Sequence, residues 1–428
     1  MSTALHELSA ADALRAMRAG RLTAEALVQA CLDRIAACDG DVKAWVHVAG
    51  ERALAQARAL DRAAPRGPLH GIPVGIKDII DTADMPTEHN SPIYKGNRPR
   101  ADAAAVALLR KAGCVILGKT ATAEFANRHP PATRNPHNAA HTPGGSSSGS
   151  AAAVAACMAP LALGTQTAGS VIRPAAFCGV VAVKPTFGSI SRAGVKPVSE
   201  TLDTIGIFSR TVEDAALGLH VLSDRALPDF TAKAPVPRIG VARTSRWPDA
   251  DAAQQAAVET AARRLAAAGA DLRDAALPPA AEALYEAQGV IMNFETARAL
   301  AWEEMHHRDA ISAALLERLD NGWSIPRAQY DAALRTAQEA IARFADLMRG
   351  FDLLLTPPAR GEAPKGLAST GDALFNKVWT QLGAPCVTLP FGKGPNGLPL
   401  GVQLVGARDE DTALLAHARW AEGALAGA

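Results

Sequence analysis

Residues 74–117 restrict this chain to an α/β architecture. Val74-Gly75-Ile76 is a short apolar run entered through Pro68, Gly71 and Pro73, the composition of a strand that begins after an irregular turn. Residues 101–112 place Val106, Leu108 and Leu109 inward at helical spacing, and Cys114-Val115-Ile116-Leu117 is a second apolar run too short for a helix. Strand, loop, helix, strand is the unit of sheets covered by helices. Residues 160–164, 180–183, 351–356 and 385–390 read as further strands. Residues 150–158, 251–268 and 330–348 read as helices. The first 65 residues also read as helical. There, Thr23 caps a helix whose apolar face holds Leu27, Cys31 and Ile35, and Gly40 ends it. No repeat or low-complexity linker divides the chain. The expected fold is a single α/β domain over residues 1–428, a large mixed β-sheet core flanked by α-helices.

Composition excludes several classes of partner. Of 428 residues, 48% are hydrophobic, enough for a sizeable core. Lysine and arginine number 44 against 43 acids, a net charge of +1, and no long basic run appears, so neither nucleic acid nor an anionic membrane is expected as a partner. Apolar segments break well before the roughly 20 residues of a membrane span. The first residues lack a basic stretch followed by an apolar one, so a cytoplasmic protein without a signal peptide is expected. The six cysteines, at positions 31, 38, 114, 157, 178 and 386, form no Cys-x-x-Cys and read as buried, reduced thiols.

Three polar residues stand in contexts that suit catalysis. Lys77 ends the apolar run Gly71-Ile72-Pro73-Val74-Gly75-Ile76. Ser146 opens the serine run of Thr142-Pro143-Gly144-Gly145-Ser146-Ser147-Ser148-Gly149-Ser150. Ser170 follows small residues in Gly164-Thr165-Gln166-Thr167-Ala168-Gly169-Ser170. A serine is a weak nucleophile until a base takes its proton. A lysine is such a base near neutrality only when its pKa falls from about 10.4 to about 7, which takes about 4 kcal/mol of desolvation or nearby positive charge. Asp78 adjoins Lys77, but neighbours on a strand face opposite sides, so it is not expected to reach the amine. Ser147 and Ser148 suit a relay role as well as Ser146 does, and the local sequence does not choose among them.

Other motifs compete. Gly145-Ser146-Ser147-Ser148-Gly149 satisfies Gly-x-Ser-x-Gly, but that nucleophile elbow needs a strand before it, and residues 138–143 read as loop. A phosphate-binding P-loop would end in Gly-Lys-Ser/Thr, whereas Ala151-Ala152-Ala153 follows here. His129, His137 and His141 invite a Ser-His-Asp reading or a metal site, yet their spacing and the lack of a nearby acid support neither, and they read as loop histidines at a pocket rim.

The ordered segments 71–78, Gly118-Lys119-Thr120 with Glu124-Phe125, Asn135-Pro136, 144–150, 164–170, Lys184-Pro185-Thr186, Asp203-Thr204, Gly397-Leu398-Pro399 and Gly401-Val402-Gln403-Leu404 resemble the amidase signature family of serine hydrolases. The resemblance is densest from Gly71 to Asp214. It implies one amidase signature domain with core motifs at about 68–214, a variable helical region at about 233–350 and a return to the core at about 351–428. It implies that Lys77 is the base, Ser146 the relay and Ser170 the nucleophile. The backbone amides of Thr167, Ala168, Gly169 and Ser170 would form the oxyanion hole. No metal or organic cofactor is implied, and the expected partner is a small-molecule amide, with a homodimer left open. Phe125, Phe375 and Trp379 lie in segments that suit an acyl pocket. The chain departs from the family at Gln166, where Asp is usual, at Ala168, where Gly is usual, and at Ile172-Arg173, where the arginine falls one place late. The expected activity is hydrolysis of a linear carboxamide. The alternatives are the glutaminase subunit of a tRNA-dependent amidotransferase, an allophanate- or biuret-type hydrolase, and a non-catalytic scaffold.

Overall fold

A computed structural model describes residues 4–232 and 235–426. Its centre is one mixed sheet of eleven strands. In chain order these are β1 (Trp45–Val48), β2 (Pro73–Lys77), β3 (Val115–Thr120), β4 (Leu161–Gln166), β5 (Val181–Lys184), β6 (Thr204–Ser209), β7 (Arg238–Val241), β8 (Asp271–Asp274), β9 (Leu353–Thr356), β10 (Cys386–Lys393) and β11 (Pro399–Val405). Across the sheet they run β1-β3-β2-β4-β6-β5-β10-β11-β9-β7-β8. β2 lies parallel to both β3 and β4, and β7 lies parallel to β8 and β9, while the remaining pairs are antiparallel. β2 to β6 are buried at every position, so apolar and small residues follow one another in them without the polar alternation of a half-exposed strand, and the polar residues they do carry lie mostly at their ends. Helices cover both faces and bury the main apolar cluster against the sheet. Among the described residues, no helix is long and apolar enough to cross a membrane. The six cysteines are free thiols, four of them buried.

The α/β class and the strand–helix–strand unit at residues 74–117 appear as the sequence implies. Several local readings do not. Residues 1–65 are not all helical, because Trp45–Val48 pairs antiparallel with β3 as the edge of the sheet. Gly40 does not end the helix that Thr23 caps. That helix runs Ala24–Val42, and Lys43 turns the chain at φ 56°. The Asp39 carboxylate collects the amides beyond the end, from Ala44 at 2.6 Å and Trp45 at 3.3 Å, so the terminus needs no glycine. A helix at Ile172–Cys178 follows the second serine segment, in a stretch that the sequence analysis leaves without an element. β6, β7, β8 and β11 are absent from the sequence-based expectation. β8, Asp-Leu-Arg-Asp, is an exposed edge with no apolar pattern, and β6 and β11 carry internal glycines that dilute theirs.

Gly40 therefore sits inside a helix, with nothing within 4 Å of the Cβ it lacks. Gly40→Ala should raise stability by about 0.5–1 kcal/mol, read as a shift of the urea midpoint. A loss of stability would mean that the chain turns at Gly40 after all.

Candidate active site

The site forms at the carboxyl ends of the parallel strands β2 and β4, where α/β sheets leave room for a ligand. The register sets Ile76 beside Leu163, so Lys77, the last residue of β2, reaches Thr165 on β4. The Lys77 side chain is 0% exposed. Its Nζ donates to Ser146 Oγ at 2.8 Å and to Thr165 Oγ1 at 2.8 Å. As a free amine, the same nitrogen accepts a proton from either hydroxyl. Asp78 faces the other side of the strand and pairs with Lys119 at 2.9 Å, as strand alternation requires. Lys77 has no ion-pair partner among the described residues. Burial draws its amine from 10.5 down to about 7, opposed only by the Asp203 charge.

The structure separates the serines that the sequence could not. Ser147 exchanges two hydrogen bonds with the Thr165 backbone, both 3.2 Å. Ser148 donates to the Gly144 carbonyl at 2.7 Å, and Ser150 to the Leu163 carbonyl at 2.8 Å. Ser146 is the member of the run whose hydroxyl meets Lys77. The Gly145–Ser146 peptide is cis. A Cβ on Gly145 would lie 2.7 Å from the Thr370 methyl and 2.8 Å from Ser148 Oγ, so the turn needs glycine. Loop, not strand, precedes it, which removes the nucleophile-elbow reading.

The second serine segment links β4 to the helix Ile172–Cys178. Gln166 organises it as a neutral amide. Its Oε1 accepts the N–H groups of Val171 at 2.9 Å and Ile172 at 3.0 Å. Its Nε2 donates to Thr380 Oγ1 at 2.8 Å, and that hydroxyl donates to the Ala168 carbonyl at 2.6 Å. Thr167 Oγ1 donates to Asp203 Oδ1 at 2.5 Å, while Asp203 Oδ2 accepts the Val198 and Ser199 amides. The result is a turn whose four amides, Thr167 to Ser170, donate to no protein acceptor among the described residues. Gly169 packs so tightly that a Cβ would lie 2.3 Å from Asn376 Oδ1. Ser170 is half-buried, and its hydroxyl makes no hydrogen bond among the described residues, including none to Ser146. Both serines nevertheless line one cavity of about 450 Å³. The helix Leu284–Ala299 supplies part of its wall through Gln288 and Met292, and the loop containing Thr370 supplies another. Arg173 ties the two serine segments together, donating to the Gly145 carbonyl at 2.5 Å.

Phe125, Phe375 and Trp379 do not line this cavity. All three are buried in apolar clusters, Phe125 against Leu300, Ile311 and Leu315, and the other two in the main core. Their rings satisfy packing, and the small or polar neighbours Ala126, Asn127 and Lys377 face the cavity instead. The three loop histidines lie outside it. His137 and His141 hold backbone carbonyls of Cys178 and Ala363 at 2.9 and 2.8 Å, and His129 is exposed. Among the described residues, no group of three or more His, Cys, Asp and Glu side chains could hold a metal ion. Thr165 and Thr380 were not anticipated from sequence, and Asp203 was noticed without a role. Their contacts depend on strand register and on chain segments far apart in sequence, for which no local pattern exists.

A family model described as Amidase matches residues 26–415. A glutamyl-tRNA(Gln) amidotransferase subunit of Chloroflexus aggregans (strain MD-66 / DSM 9485) is 35% identical over 96% of this chain and 95% of its own length. The native peptide amidase from Stenotrophomonas maltophilia superimposes with a TM-score of 0.83 at 32% identity, covering 98% of this chain and 97% of its own. A 6-aminohexanoate cyclic dimer hydrolase complexed with substrate gives a TM-score of 0.87 at 28% identity over 99% and 98%.

Replacing Gln166 tests whether its amide orders the second serine segment. Gln166→Leu leaves two buried amides and the Thr380 hydroxyl without their partner and should cost about 2–4 kcal/mol in urea denaturation. Gln166→Glu keeps the acceptor and should cost less. Equal losses for the two variants would show that side-chain volume, not hydrogen bonding, is what matters.

Proposed function

The chain belongs to the amidase family, and from that premise we propose that it hydrolyses a linear carboxamide by a Ser170–Ser146–Lys77 relay. Ser170 Oγ attacks the amide carbonyl carbon. Its proton passes to Ser146, which gives its own to the neutral amine of Lys77. The oxygen of the tetrahedral intermediate takes the negative charge and rests on the amides of residues 167–170, which have no other acceptor among the described residues. The proton held at Lys77 returns through Ser146 to the departing nitrogen, and the C–N bond breaks. Water then attacks the acyl-serine by the same route, releasing the carboxylate and restoring Ser170.

The observation that carries this reading is Lys77 itself, fully buried, without an ion pair among the described residues, and 2.8 Å from Ser146 Oγ. Lys184 is also fully buried without an ion pair among the described residues, but it meets only the Pro185 carbonyl at 2.9 Å, so the contact with the Ser146 hydroxyl is what sets Lys77 apart. Asp203 supports both ends of the relay. Its carboxylate fixes Thr167 in the oxyanion turn. Burial raises its own pKa, and when ionised its charge opposes the fall of the Lys77 pKa. The second reading, a glutaminase chain within an amidotransferase, is favoured by the relatives that carry the amidotransferase name. It differs in requiring L-glutamine as substrate and a companion chain.

A fluorophosphonate probe should label Ser170, and Ser170→Ala should lower kcat by about 10³-fold or more with the fold intact by circular dichroism. Labelling at Ser147 would contradict the assignment. Turnover of simple aliphatic amides by the isolated chain favours the amidase reading, and turnover of L-glutamine alone favours the glutaminase.

A further inference from the structure

Gly289 lies inside the helix Leu284–Ala299, where a glycine weakens the helix relative to alanine. Two reasons commonly hold a glycine in such a place, and neither applies. Its φ is not positive. A Cβ built on it would meet no atom within 4 Å. Gly40 is equally unhindered, but it lies exposed on the surface. Gly289 instead lines two cavities at once. One is the cavity of about 450 Å³ that holds Ser146 and Ser170, and the other is a groove of about 410 Å³ beside it. Asn293 lines both as well. A side chain at position 289 would project into the space where the two meet.

The helices make the two cavities continuous. Asn293, Gly289 and Glu286 recur at intervals of four and three residues on one helix, so they share a face. Ala314, Arg318 and Asn321 do the same on the helix Ala313–Ser324. Ala314 and Arg318 line the serine cavity, and Asn321 and Ser324 line the groove. From Ala314 to Ser324 the helix advances ~15 Å, a length that about four extended residues would span.

The groove is polar without net demand for charge. Asn293, Asn321 and Gln329 line it, and their side-chain amides bond no protein group among the described residues. Each offers both donors and an acceptor, which complement the N–H and C=O of an amide chain. The carboxylate of Glu286 already faces Arg246 at 3.4 Å. The helix wall also meets the oxyanion turn, because Gln288 Nε2 donates to the Thr167 carbonyl at 3.4 Å. The leaving nitrogen has to sit beside Ser146 instead, which hands it the proton.

We propose that the groove between these helices is a subsite for an extended, uncharged acyl chain carrying further amide groups, and that Gly289 is the specificity-determining residue that keeps the passage to it open. This rests on the reading of Ser170 as nucleophile. Substrate parts remote from the reacting carbonyl then contribute binding energy that a short amide lacks.

The test measures kcat/KM of the full chain for N-acetylglycinamide, N-acetyldiglycinamide and N-acetyltriglycinamide, with undecanamide as an all-carbon chain matching the longest. The value should rise at least about tenfold from the shortest to the longest peptide amide, and undecanamide should gain less. Gly289→Leu should reduce the long-to-short ratio at least about tenfold, whereas a purely structural role would lower both values together. Asn321 is exposed and lines the outer groove, so Asn321→Leu should lower the same ratio about threefold and keeps the test decisive if the Gly289 variant folds poorly. Calorimetric binding of N-acetyltriglycinamide to the Ser170→Ala protein needs no turnover, and adding Gly289→Leu should weaken it at least about tenfold. A ratio unmoved by both variants, or a length gain seen only in chains extended from the amide nitrogen, would overturn the subsite and leave the amidase reading standing. Gly289-dependent binding with no amide turned over by the unsubstituted chain would support the subsite and sink the amidase reading.

Discussion

The short hydrogen bonds from Lys77 Nζ to the hydroxyls of Ser146 and Thr165 are the contacts on which the site depends. They exist because β2 and β4 run parallel in the register that places the end of one beside Thr165 of the other. Burying an ammonium there without a carboxylate would be costly, and the chain avoids that cost by letting the amine lose its proton near neutrality. Asp78 is diverted to Lys119 by strand alternation, so the nearest acid in sequence does not restore the charge. The cis Gly145–Ser146 peptide and the Arg173 bond to Gly145 belong to the loop that presents Ser146 to the amine.

The site was legible in sequence where a residue's neighbours in the chain are also its environment. Lys77 closes an apolar strand, and an apolar strand in an α/β protein is buried, so its burial could be foreseen. The small residues before Ser170 announced a tight turn with open amides. The choice of Ser146 over Ser147 and Ser148 came only from resemblance to a family, and its physical reason appears in three dimensions. The other serines are occupied by Thr165, Gly144 and Leu163. Gln166 was recognised as a departure, but its partner Thr380 lies more than two hundred residues away, beyond any local pattern. The aromatic residues misled because bulk near a motif was read as pocket lining, whereas Phe125, Phe375 and Trp379 fill the core. In the fold, strands that are short, polar or glycine-bearing were lost, β8 among them, because the sheet makes them strands and their own composition does not.

The proposed relay requires Lys77 to be a neutral base at working pH, and the ionisation of its amine is the direct measurement. In protein labelled with 15N and 13C at lysine, the Lys77 side-chain resonances, assigned by comparison with a Lys77→Met protein, should titrate with a midpoint near 7. The rate of amide hydrolysis should follow the same curve, rising as the amine loses its proton and holding into the alkaline range. A Lys77 amine that stays protonated beyond about pH 9, close to the ordinary lysine value, while the enzyme remains active at neutral pH, would contradict the claim and assign proton transfer to another group.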